Sequence, residues 1–296
     1  VKVRVPAKIN LHLGVGEVRP DGFHELMTVF QSLGLWDTVT ITPAAELSVH
    51  VTGEGAGSVP TDKRNLAWQA ASLLADRHGV DPCVRIEIDK AIPVAAGLAG
   101  GSADAAATLV GCDALWGLHS SRSQLEDAAA LLGSDVAFGL VGGIAIGTGR
   151  GEVLSPVLGA SATSWWVLAL ADAGLSTPAV YAEFDRLQHG QSVPALTAPA
   201  QLLRALQSDD VSTLADALRN DLEPAAVSLA PYLRDTLEAG LVAGAVAAVV
   251  AGSGPTCAFL VANADSARSV AARLGREGVC RTTRVAAGPV HGAQLC

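Results

Sequence analysis

The segment from Val84 to Gly117 constrains the fold more than any other. VRIEID alternates apolar and polar residues as a half-buried strand does, and an alanine-rich run from Ser102 to Trp116, stopped by Gly117, suits a helix. Between them lies IPVAAGLAGGSADAAATL, residues 92–109, in which glycines and small residues crowd one short loop. Pro93 ends the strand, and Gly97, Gly100 and Gly101 allow backbone conformations closed to residues with a Cβ. The pattern predicts that Ser102 caps the helix and that Asp104 falls in its first turn, where negative charge is favoured. N–H groups left free at that point suit an anion. Glycine content alone leaves two readings open, a phosphate cradle or a capped loop for close helix packing.

The common nucleotide motifs are absent. G-x-x-x-x-G-K-[ST] fails because no lysine occurs after Lys90, and G-x-G-x-x-G fails in this loop. AGSGP at 251–255 fails the G-x-S-x-G elbow, and His24-Glu25 is not followed by the second histidine of a zinc helix. A net charge of −9 argues against nucleic acid, which needs a basic face. It leaves room for an anionic small substrate, because a local nest of N–H groups outweighs distant acids. Residues 239–264 carry no charge, but Gly252-Ser253-Gly254-Pro255 divides them into two pieces of strand length, which is not the pattern of a membrane span. The five cysteines are widely spaced without C-x-x-C, which reads as reduced thiols in a cytoplasmic protein, with no metal site. VKVRVPAKIN lacks the apolar core of a signal peptide.

Strand candidates are 1–5, 9–15, 37–41, 47–51 and 84–89, and helix candidates are 65–79, 102–116 and 123–133. Residues 142–152 read as a strand leading to an exposed turn, and a buried strand restarts at Trp165. Helices over 177–187, 198–206, 230–240 and 265–275 and strands over 245–250, 257–262 and 280–286 follow. Strands with helices interposed in this order suggest an open-faced α/β sandwich. A boundary near 150–163 divides the chain into 1–155 and 156–296, with 188–199 as the mobile loop.

Four further clusters carry chemistry. In PAKINLHLGV, Lys8 precedes an apolar strand and shares a face with Asn10; the pair suits an oxyanion, although an edge lysine that keeps the strand soluble has the same pattern. In RPDGFHEL, the Pro20-Asp21-Gly22 turn presents Phe23 and His24 together, as a base-recognition pair or as a core ring beside a surface histidine. Asp135 follows Gly133-Ser134 between apolar segments and requires a partner or a task, or else caps the next turn. Gly252-Ser253-Gly254 between apolar runs implies close backbone approach to another loop or to a phosphate.

PAKINL, DGFHEL, PVAAGLAGGSADAA, GSDV and AGSGPT in this order resemble the GHMP kinases over nearly the whole chain, from Val3 to about Val285. The first two point, within that family, to the branch whose substrate carries a cytidyl diphosphate. The resemblance implies an α+β fold of two domains, a ribosomal S5 domain 2-like N-terminal domain with a left-handed βαβ crossover and a ferredoxin-like C-terminal domain, with ATP between them. It implies that Pro93, Val94, Ala95, Ala96, Gly97, Leu98, Ala99, Gly100, Gly101, Ser102, Ala103 and Asp104 wrap the ATP phosphates, with Asn65 near the adenine or ribose. Mg²⁺ is expected with ATP, touched by Ser102, without an acidic cage. Asp135 would take the proton from the C2 hydroxyl of a methylerythritol moiety, with Lys8 paired to it, lowering its pKa and offsetting charge. Asn10 would position that substrate, His24 would hydrogen bond the cytosine between Phe23 and Tyr181, and Gly252-Ser253-Gly254 would close the site.

Competing readings are another GHMP kinase, such as homoserine kinase, and a non-catalytic ATP-binding regulator on the same fold. Two departures stand out: the family loop reads G-L-G-G-G-S where this chain has Ala99 (and Ala96 before it), and Phe23 stands where Tyr is usual. Ala99 is expected at negative φ, its methyl facing the ligand.

Overall fold

A computed structural model describes residues 1–160, 162–189, 196–208 and 210–296, so residues 190–195 of the 188–199 loop lie outside it. The first sheet rests on two long strands, β1 (Lys2–Val18) and β2 (His24–Pro43), paired antiparallel. The two strand candidates 1–5 and 9–15 are thus one strand. Pro6 does not break it because the register shifts between Pro6 and Ala7, a bulge that accommodates the missing N–H.

β3 (Ser48–Gly53) and β4 (Val84–Lys90) pair in parallel and are joined by α1 (Leu66–His78), giving a βαβ unit. Asn65 caps α1 by accepting the Ala67 N–H at 2.8 Å, and Gly79 ends it in the left-handed conformation. α2 (Gly100–Trp116), α3 (Arg122–Leu132) and α4 (Ser134–Val141) follow, α3 opened by a Ser121–Gln124 capping box. β5 (Ile144–Thr148) and β6 (Val153–Pro156) complete this half as a hairpin on β2.

The second sheet contains β7 (Ser164–Leu170), β9 (Ala247–Val250), β10 (Cys257–Val261) and β11 (Thr282–Gly288) in the order β11-β7-β10-β9, all antiparallel. With α10 (Ala264–Glu277) between β10 and β11, this is the ferredoxin-like order. Between β7 and β9 lie α5 (Thr177–Gln188), α6 (Ala200–Ala205), α7 (Val211–Ala217), α8 (Glu223–Leu229) and α9 (Tyr232–Val242). The fold is α+β with antiparallel pairing dominant, which replaces the open-faced α/β reading.

Side chains alternate across the second sheet. Trp166, Leu168 and Leu260 join the core of the first sheet, whereas Val167, Phe259 and Val261 pack against the outer helices. Two short strands return from the later half to the first sheet: β8 (Arg219–Asn220) pairs parallel with β1, and β12 (Gln294–Leu295) pairs antiparallel with it. Among the described residues no helix is long and apolar enough to cross a membrane.

Candidate functional site

The loop after β4 is folded by its own small residues. Gly97 has φ +76°, and a Cβ there would lie 2.1 Å from the Ala251 carbonyl oxygen, so only glycine allows this loop to meet the 251–254 turn. Two alanines also take positive φ, Ala95 at 53° and Ala99 at 59°. The expected negative φ at Ala99 is therefore wrong: the chain must turn left-handed to enter the helix. Gly100 and Gly101 need no such freedom, because both are already helical.

α2 starts at Gly100 rather than Ser102, and Ala99 occupies the capping position without a side-chain hydrogen bond. Ser102 is inside the first turn, where it caps nothing. The N–H groups of Gly100, Gly101 and Ser102 consequently lack intrahelical partners and add to the positive end of the helix dipole. All three line a cavity of about 470 Å³ that also reaches Lys8, Asp135 and Gly252. A Cβ on Gly101 would meet no protein atom within 4 Å, so the space above it is open to a ligand. An uncapped helix start, small residues and open space fit a phosphate group.

Lys8 and Asn10 point into this cavity from β1, as their shared strand face requires. The Lys8 Nζ donates to Asn10 Oδ1 at 2.9 Å, and the Asn10 Nδ2 donates to Thr28 Oγ1 at 2.8 Å. Lys8 is buried, with its backbone N–H bonded to the Leu98 carbonyl at 3.2 Å, which ties the strand to the loop. Asp135 stands in the first turn of α4 and caps nothing, with Oδ2 3.6 Å from Lys8 Nζ and a side chain one-third exposed (33%) toward solvent. A buried ammonium and a reachable carboxylate thus share one cavity with the helix start.

Of the other predicted residues, Pro93, Ala95, Ala96, Gly97 and Ala99 line the cavity from the loop, and Tyr181, Gly252 and Ser253 from the later half. Ser253 Oγ and Thr177 Oγ1 lie 2.8 Å apart. Val94, Asn65 and Asp104 instead line an adjoining recess of about 260 Å³, together with Arg64 and Lys90. Leu98 and Ala103 are core residues, and Gly254 packs on Val250. Asp104 does not serve the helix start as expected. It is buried and accepts from Lys90 Nζ at 2.7 Å.

Phe23 and His24 do not form one patch. Phe23 ends the turn, 55% exposed, with the Arg150 guanidinium 4.9 Å above its ring. His24 begins β2 and is buried, Nδ1 2.8 Å from the Gly16 carbonyl and Nε2 3.2 Å from Asp185. Its ring stacks on Tyr181 at 5.3 Å. Burial, with the nearby Asp135 charge adding to it, pushes the Tyr181 hydroxyl up to about 12, so it remains a neutral donor.

Arg150, Thr28 and Ser134 also line the cavity and are not among the sequence candidates. Arg150 lies in the glycine-rich turn between β5 and β6; a lone arginine there has no periodicity to mark it. Among the described residues no cluster of three or more His, Cys, Asp or Glu could hold a metal.

Known proteins resemble this chain along its whole length. The GHMP kinases N terminal domain matches residues 65–145, and the GHMP kinases C terminal domain matches 202–280. A 4-diphosphocytidyl-2-C-methyl-D-erythritol kinase of Rhodococcus jostii is 60% identical over 295 residues, 100% of this chain and 94% of the relative. The protein of the same name from Mycobacterium tuberculosis is 56% identical, covering 100% of this chain and 92% of its own. A crystal structure of 4-(cytidine 5'-diphospho)-2C-methyl-D-erythritol kinase superposes with a TM-score of 0.78 at 31% identity, covering 97% of this chain and 98% of the other. A homoserine kinase from Cytophaga hutchinsonii shares the fold, with a TM-score of 0.73 at 20% identity over 100% of this chain and 97% of its own.

Proposed function

The chain belongs to the GHMP kinases, and from that premise we propose that it transfers the γ-phosphoryl group of ATP to the C2 hydroxyl of 4-diphosphocytidyl-2-C-methyl-D-erythritol. The products are the 2-phosphate and ADP, a step in non-mevalonate isoprenoid precursor synthesis. The observation that carries the reading is the Lys8–Asp135 pair at 3.6 Å in one cavity with the uncapped start of α2. Relatives at 56–60% identity over the whole chain bear the name of that activity.

The phosphates of ATP lie along residues 93–102, against the free N–H groups of Gly100, Gly101 and Ser102. The nucleoside extends toward the recess beside Asn65 and Val94. Ser102, which lines the cavity at the helix start, would be the protein ligand nearest a Mg²⁺ arriving with the nucleotide, and that ion would supply charge compensation on the phosphate oxygens. The chain's own residues do the remaining work. Asn10, oriented by Thr28 and Lys8, positions the acceptor alcohol. Asp135 accepts the hydroxyl proton as the oxygen bonds to phosphorus, and Lys8 offsets negative charge on the transferring group. Phosphoryl transfer demands mainly alignment and charge compensation, and these groups supply both.

Tyr181 offers its ring to the cytosine, with His24 stacked behind it and Phe23 under the Arg150 guanidinium. Among the described residues, Arg150 is the cation lining the cavity besides Lys8, which suits the substrate diphosphate. Further parts of the proposal are a domain division at residues 155/156 and a cytoplasmic setting, to which the free thiols of Cys83, Cys112, Cys257, Cys280 and Cys296 are suited.

The test is turnover of purified protein with MgATP. Phosphorylation of the cytidyl substrate without phosphorylation of homoserine is expected, and equal turnover of homoserine refutes the assignment. Asp135→Asn should lower kcat by about 10² or more with ATP binding kept. Near-normal turnover removes Asp135 as the base.

A further inference from the structure

One buried ion cluster lies outside the chemistry just described. Asp37 on β2, Lys90 at the end of β4 and Asp104 on α2 are 0%, 4% and 2% exposed. Lys90 Nζ donates to Asp37 Oδ2 at 2.5 Å and to Asp104 Oδ2 at 2.7 Å. Asp37 Oδ1 accepts the backbone N–H groups of Ala91 at 2.6 Å and Ile92 at 2.8 Å. Two carboxylates therefore share one ammonium away from water.

Such a cluster is a poor source of stability. Desolvating an ion pair offsets most of its attraction, and a second buried carboxylate adds an uncompensated charge. Its location suggests a different role. Asp37 grips the two amides that begin the phosphate loop. Asp104 sits one turn into the helix that ends it, and Lys90 bridges them directly beneath the cradle: a Cβ on Gly100 would lie 3.0 Å from Lys90 Nζ. Both ends of the loop are thus fastened to one ammonium.

The aspartates are not equivalent. Asp37 receives donors on both oxygens, whereas Asp104 Oδ1 is buried with no partner. Burial also pushes the Asp104 carboxyl well above the usual carboxylate range.

We propose that Asp37, Lys90 and Asp104 are positioning residues for ATP, fixing the loop that carries the free N–H groups, with Asp37 the principal anchor and the charge of Asp104 secondary. The inference rests on the reading of residues 93–102 as the ATP cradle. None of the three touches the reacting atoms; Lys90 and Asp104 also border the recess assigned to the nucleoside, whereas Asp37 acts through the loop alone.

The experiment compares Asp37→Asn and Asp104→Asn by KM for ATP, kcat and amide exchange over residues 91–103. Asp37→Asn should raise KM for ATP about tenfold or more with kcat within about threefold, and speed exchange at Ala91 and Ile92. Asp104→Asn should raise it by less than about threefold. A merely structural role lowers the amount of active protein, hence apparent kcat, and leaves KM for ATP unmoved. If Asp37→Asn does not fold, the triple variant Asp37→Leu/Lys90→Met/Asp104→Leu removes the anchor and the bridge without leaving a buried charge, and about a tenfold rise in KM for ATP is expected. An unmoved KM in the folded anchor variant, or an equal rise in both asparagine variants, overturns the proposal. Failure of the unmodified protein to bind ATP overturns the cradle reading instead.

Discussion

Replacing Ala99 by glycine should stabilise the protein. Ala99 holds φ 59° and ψ 31°, where a Cβ crowds the following carbonyl, at a cost of about 1–2 kcal/mol. Glycine escapes that cost but gives the unfolded chain more freedom, worth about 0.4–1 kcal/mol against folding. The net gain is about 0.5–1 kcal/mol. Ala103 supplies the contrast four residues on. It is buried in α2 at ordinary helical geometry, so Ala103→Gly loses about 1 kcal/mol of helix propensity and about 0.8 kcal/mol of methyl burial. Two identical chemical changes in one short segment should therefore move stability in opposite directions. Urea unfolding followed by tryptophan fluorescence reads both, provided the slopes match that of the parent. If Ala99→Gly lowers the midpoint as far as Ala103→Gly, the left-handed turn at Ala99 carries no strain and the reasoning fails.

Gly97→Ala should be the damaging counterpart: left-handed backbone and a 2.1 Å approach to the Ala251 oxygen together predict a loss of about 2–5 kcal/mol, read by the same denaturation, and a loss below 1 kcal/mol would contradict the close approach. Asp104→Asn should gain thermal stability over the parent as pH rises. The folded carboxyl is raised by burial, so the parent loses stability as pH climbs from the unfolded value near 3.8 through the folded value, whereas the variant does not. Melting curves at pH 5 and pH 8 should show the larger advantage at pH 8; an advantage that shrinks with pH would reverse the sign.

The parts of the site legible in the sequence are those with local periodicity or local exclusion. Lys8 and Asn10 face the same way because a strand alternates, and the observed 2.9 Å bond between them follows directly. The glycine loop announces a helix start, but its exact first residue depends on Ala99 turning left-handed, which alanine composition disfavours. Adjacency makes Phe23 and His24 read as a pair, yet the start of β2 buries His24 and leaves Phe23 exposed under Arg150. Arg150 and the Lys90 cluster were invisible for another reason: their meaning lies in partners brought from distant segments. Lys90 and Asp37 are 53 residues apart, and no spacing rule links them. Strands as short as β8 and β12, of two residues each, fall below any pattern.

Those two short strands have a consequence for how the molecule can be taken apart. β1 is flanked along its outer edge by β8 and β12, both supplied by the later half of the chain, and Asn220 of β8 also donates to the Val250 and Gly252 carbonyls at 2.7 Å each. A fragment cut between β6 and β7 would leave that edge of β1 bare, a template for pairing with other chains. The halves are therefore interlaced rather than strung together. Each needs the other as a template during assembly, and a break in the connecting segment yields two fragments that should reassociate rather than two free-standing proteins.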